Sequence, residues 1–198
     1  MKTPENVSKF IHAHFFLTIL LSSLFAASYG QSINNSWKQD LSEQLQEFKS
    51  CENAPVNGIN PCTAFVGDML KTVYKINDFY SQSSGRHMLV SEIAKFLKET
   101  NKWELLGHAY EQQALDNAQS YANSKKAIVA VYLNKENIGH VSLIIPGELK
   151  PSGSWGFNVP NSASFFLSTP ENSYVGKGLS YAFTRSMLKE VLLYGRNY

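Results

Sequence analysis

A chain of 198 residues with 43% hydrophobic and 17% charged residues has the balance of a globular protein. Its net charge of +2 supplies no basic stripe, which argues against nucleic acid as a partner. Two cysteines exclude a disulfide-dense scaffold and an all-cysteine zinc site, and the five histidines lack H-x-x-x-H or H-E-x-x-H spacing, so no metal site is expected.

The first predicted element is a targeting segment. Lys2 and Lys9 precede the apolar run Phe15-Phe16-Leu17-Thr18-Ile19-Leu20-Leu21, which continues to Ala27. Ser28 and Gly30 then stand at minus three and minus one of a signal-peptidase site. Residues 1–30 read as a signal peptide, the run being short for a membrane span; an uncleaved anchor is the other reading. The expectation is a secreted or periplasmic protein with no membrane contact after cleavage, and a single domain over residues 31–198.

Residues 36–48 place Trp37, Leu41, Leu45 and Phe48 on one helical face. Residues 53–61, with Pro55 and Gly58, form an irregular approach to Asn60-Pro61-Cys62. That triplet reads as a helix start: Asn60 is a good N-cap, and Pro61 suits the first helical position. Phe65, Val66, Met69, Leu70, Val73 and Tyr74 then make one apolar stripe. A second helix is predicted with Ser91 as cap and Glu92 in its first turn. Residues 103–107 read as a short linking element, and residues 111–122 as a helix rich in Ala, Gln and Leu. The period then changes. Residues 127–133 are a continuous apolar run of strand length, followed by strands at 138–146 and 154–159 around a loop at 147–153. Two more strands are predicted at 179–183 and 191–194. The order predicts an α+β fold, with helices packed on one side of an antiparallel meander.

The chemistry centres on Cys62. In the first turn of a helix it lies among unpaired amides at the positive end of the dipole, which favours the nucleophilic thiolate. His140, in Gly139-His140-Val141-Ser142, is the candidate base; a half-exposed strand histidine is its bland reading. A symmetric hairpin through the 147–153 loop sets Asn158 across from Ser142, one diagonal step from His140, where an amide can orient the imidazole. Asn161 and Ser162 are alternatives, because Pro160 can bulge or end the strand. The Cys62 amide, Asn57 and Asn60 are candidate oxyanion donors, Asn60 competing with its role as cap. Trp103, Trp155, Phe165 and Phe166 suit either a groove or the core. His87 falls in a loop and His108 at an element boundary. Glu111 and Asp116, five apart on a helix, do not make a glycosidase pair.

A helix-start thiol, a Gly-His-Val opening a strand and a polar residue on the next strand resemble the papain-like cell-wall hydrolases of the NlpC and CHAP groups. The segment Ala127-Ile128-Val129-Ala130-Val131-Tyr132 with Gly139-His140-Val141-Ser142-Leu143-Ile144-Ile145-Pro146-Gly147 is especially similar to the strand pair around their histidine. The resemblance covers roughly residues 53–166. It implies a papain-like fold, N-terminal helices against an antiparallel sheet, with Cys62 as nucleophile, His140 as base and then acid, and Asn158 as orienter. It further implies hydrolysis of peptidoglycan stem-peptide amides without a cofactor, with Trp155 and Asn161 along the substrate, and a proteinaceous inhibitor as a possible second partner.

Cys51 and Cys62 carry a rival reading. An even pair in an exported chain is commonly a disulfide, and this one closes a short loop. The alternatives are therefore a constitutive enzyme, a redox-gated one, and a non-catalytic secreted binding or inhibitory module holding a Cys51–Cys62 bond.

Overall fold

The computed structural model describes residues 32–198 apart from Asn53 and Asn57; the predicted signal peptide and Asn57 lie outside the described residues. Helix α1, Trp37–Ser50, buries Trp37, Leu41, Leu45 and Phe48, the stripe its sequence predicts. A 3-10 turn, Pro61–Thr63, runs into α2, Ala64–Tyr74, which buries Val66, Met69, Leu70, Val73 and Tyr74. The Tyr74 hydroxyl donates to the Ile144 carbonyl at 2.8 Å and pins α2 to the sheet. A small hairpin of β1, Tyr80–Ser81, and β2, Arg86–His87, precedes α3, Val90–Glu99.

The start of α3 departs from expectation. Ser91 is inside the helix rather than its cap. The Glu92 carboxylate accepts the Leu89 N–H at 2.7 Å and is gripped by both terminal nitrogens of Arg86 at 2.7 and 2.9 Å. An anion in the first turn satisfies an orphan amide as a cap would.

Residues expected to form a short link are instead strand β3, Trp103–His108, followed by α4, Gln112–Asn123. The remaining strands are β4, Ile128–Leu133; β5, Gly139–Ile144; β6, Lys150–Ser152; β7, Phe157–Val159; β8, Asn161–Ser164; β9, Tyr174–Gly178; and β10, Leu192–Arg196. Five of these join β3 in one antiparallel sheet of order β3-β10-β4-β5-β8-β9. The meander β4-β5-β8-β9 is as predicted in kind. The C-terminal strand, however, inserts between β3 and β4, and this pairing is what makes a strand of residues 103–108.

The helices do not all lie on one side. Val129, Val131, Val141, Leu143 and Ala163 pack under α1, α2 and α3, whereas Ile128, Ala130, Ile144 and Leu193 pack under α4. The alanine stripe Ala114, Ala118 and Ala122 lets α4 approach the second face closely. With both faces covered, β4 reads as a continuous apolar run rather than an alternating one.

Two further expectations are corrected. Residues 154–159 do not add a strand to the sheet: β7 pairs only with β6, in a separate hairpin. Residues 179–183 form a 3-10 turn, Leu179–Tyr181, instead of a strand. The strands in their place, β8 and β9, escape apolar pattern reading because β8 is Asn-Ser-Ala-Ser. Its buried hydroxyls are satisfied internally: Ser164 donates to Ser142 at 2.7 Å, Ser142 to the Ala163 carbonyl at 3.0 Å, and Ser162 pairs with the Tyr174 hydroxyl at 3.0 Å.

Candidate active site around Cys62 and His140

Cys62 sits where the helix-start reading puts it. Asn60 is the cap, its side-chain oxygen accepting the Cys62 N–H at 2.8 Å, and Pro61 opens the turn. That bond removes the Cys62 amide as a spare oxyanion donor and commits Asn60 to capping. The thiol is not free. Cys62 is bonded to Cys51, the C-cap residue just past α1, with the two Cα atoms 6.0 Å apart. A disulfide sulfur is no nucleophile, so the chain as seen carries a masked cysteine. The bond staples the end of α1 to the start of α2 across an irregular loop. Closing a loop of this length contributes about 3 kcal/mol.

His140, second residue of β5, sets its side chain on the α4 face of the sheet, opposite Tyr132 of β4. Its other neighbour follows from the register. Leu143 faces Ala163 and Ile144 faces Ser162, so continuing the ladder sets Phe166 beside His140. The rings stack at 4.6 Å with 9° between planes, and Phe183 meets the imidazole edge-on at 5.5 Å. The place an orienting amide was expected to fill is taken by an aromatic ring. His140 Nε2 is buried without a hydrogen-bond partner among the described residues, and desolvation lowers the His140 pKa from 6.5 to about 4. At neutral pH the imidazole is uncharged.

Around His140 opens a largely apolar cavity of about 410 Å³, walled by Tyr132, Ile138, Phe166, Phe183, Met187 and Val66 among others. Val66 lies one helical turn beyond Cys62, so the Cys62 helix contributes a wall to the His140 cavity. Cys62 itself packs on the opposite side, with the α1–α3 core.

The expected third residue is elsewhere. Asn158 faces Pro151 in the β6–β7 hairpin rather than Ser142, because the connection closes its own short hairpin before the chain returns to the sheet. Its side chain is exposed, and its backbone is clamped by Gln112, which accepts the Asn158 N–H at 3.0 Å and donates to its carbonyl at 2.9 Å. Asn161 and Ser162 do enter β8, near Ile145 and Ile144, at the far end of β5 from His140. Asn161 donates to the Pro146 carbonyl at 3.1 Å. Trp155 is core rather than groove, donating its indole N–H to the Phe183 carbonyl at 3.1 Å.

The other described histidines, His87 and His108, serve packing. His87 Nε2 meets Asp68 at 3.2 Å, and its ring lies against Gly67. His108 stacks on Tyr110 at 5.1 Å. Among the described residues, no three His, Cys, Asp or Glu side chains gather as a metal site, and no helix is long and apolar enough to cross a membrane. Phe183 and Tyr132 are the site residues that residue-type reasoning missed; Phe166, read as groove or core, lines the cavity, and the register of β5 with β8 sets it beside His140. No protein-family model and no curated protein sequence matches the chain.

Proposed function

We propose that the chain is an exported, papain-like cysteine amidase or endopeptidase of peptidoglycan stem peptides, held latent by the Cys51–Cys62 bond. The supporting observation is the meeting of two parts at one cavity: the helix whose capped start holds Cys62 and the strand whose second residue is His140 both wall it. A dithiol reductant opens the bond, leaving two thiols on the chain and becoming a disulfide itself. Freed from Cys51, the Cys62 sulfur would have to swing from the α1–α3 core past Val66 into the His140 cavity, where the neutral His140 takes its proton as sulfur attacks an amide carbonyl. The imidazolium passes that proton to the departing amine, leaving a thioester. Water, deprotonated by His140, releases the acid and restores the thiol. Stacking on Phe166 orients the imidazole in the role first given to the Asn158 amide. Secretion or a periplasmic location would bring the chain to this substrate.

A second reading has its own observation. The disulfide, together with a half-buried histidine held neutral among aromatic rings, equally suits a non-catalytic secreted module that binds or inhibits through the same cavity. Purified sacculi incubated with oxidised and dithiol-treated protein separate the two. The hydrolase releases muropeptides only after reduction, and Cys62→Ala and His140→Ala abolish release. Release that survives Cys62→Ala removes the nucleophile, and no release by the reduced wild type leaves the binding module.

A further inference from the structure

Phe166 has a second use. Besides covering His140, it walls a separate, more polar cavity of about 420 Å³ formed with Thr169, Glu171, Asn172, Tyr174, Lys177 and Tyr181. We propose that this shelf is a pyranose-binding subsite, taking a sugar ring of a glycopeptide whose peptide portion enters the His140 cavity. The peptide half of that statement rests on the hydrolase reading; the sugar half stands on the shelf alone.

Tyr181 supplies the platform. It is 67% exposed, unusual for so large an aromatic side chain, and its ring meets Tyr174 edge-on at 6.2 Å. An aromatic face left open to water can gain by covering itself with the C–H face of a sugar. Lys177 is drawn over the same rings, its Nζ 5.1 Å from the Tyr181 centroid and 5.7 Å from that of Tyr174. Around the platform the side chains of Thr169, Glu171 and Asn172 make no hydrogen bond to the described residues, so they keep donors and acceptors of both kinds. Lys177 and Glu171 offset each other's charge, which favours a neutral polyhydroxyl ligand over a phosphate or a polyanion.

The shelf is also built in advance. The Ser173 hydroxyl accepts the Phe166 N–H at 2.8 Å, the Asn172 N–H closes onto the Thr169 carbonyl at 2.9 Å, and the Tyr174 hydroxyl is tied to Ser162 at 3.0 Å. Little ordering is left to oppose binding, as expected of a ligand site.

The test needs no catalysis. Peptide-free N-acetylglucosamine tetrasaccharide is titrated into the oxidised protein while backbone amide resonances are followed. Saturable shifts confined to residues 166–181 are expected, with Tyr181→Ala weakening binding roughly tenfold and Tyr181→Phe restoring it. No saturation at about 10 mM sugar overturns the proposal, since a Kd of about 1 mM would nearly fill the site. So does unchanged affinity in Tyr181→Ala, or binding at the shelf by sugar-free stem peptide instead. Failure of sacculus hydrolysis would leave a positive sugar titration standing, so the two readings fall separately.

Discussion

Lowering the pH from 7 to 5 charges a histidine in the unfolded chain but leaves His140 neutral in the native one. Burial against Phe166 and Phe183 holds its pKa near 4, against 6.5 for an unhindered imidazole. The folded value is the lower one, so the stability tied to this group is fully present above about pH 6.5 and is lost as pH falls toward 4. Each pH unit between the two values costs about 1.4 kcal/mol, which makes the whole loss about 3 kcal/mol and the loss at pH 5 about 2 kcal/mol. Urea unfolding at pH 7 and 5, for wild type and His140→Phe, isolates the effect by difference, because the phenyl ring keeps the stack but does not titrate. The wild type should lose about 2 kcal/mol more than the variant. An NMR titration of the His140 ring should show no midpoint above pH 5. Equal pH dependence in the two proteins, or a midpoint near 6.5, would refute the burial argument.

Three other outcomes follow from packing and the disulfide. Reducing the protein with a dithiol should lower its unfolding free energy by about 3 kcal/mol without changing its secondary structure by circular dichroism, since the bond acts mainly on the unfolded chain. Gly67→Ala places a methyl carbon 2.1 Å from His87 Nδ1. The ring must then swing off Asp68, and a loss of about 1–3 kcal/mol in denaturant unfolding is expected. Tyr74→Phe deletes the donor to the Ile144 carbonyl inside the core. It should cost about 1–2 kcal/mol, and hydrogen exchange should speed up along β5.

Much of the fold was legible in short patterns. The stripes of α1 and α2 act within one helix, and the apolar runs of β4 and β5 act within one strand, so each announces itself locally. Pattern reading failed where an element depends on its partners. Strand β3 exists because β10 returns beside it, and β8 exists because its serines satisfy one another and Tyr174 after burial. The second covered face, under α4, could be suspected only from the unbroken hydrophobicity of β4.

The candidate site divides in the same way. Asn60-Pro61-Cys62 declared a capped helix start through neighbours only one or two residues apart, and the structure has that cap. Which partner the sulfur takes, Cys51 or a base, depends on how α1 ends against α2. What stands beside His140 depends on where β8 rejoins the sheet after the β6–β7 hairpin. Caps and periodicities are set by bonds along the chain, whereas the Cys51–Cys62 bond and the Phe166 stack are set by the packing of segments that composition alone does not bring together.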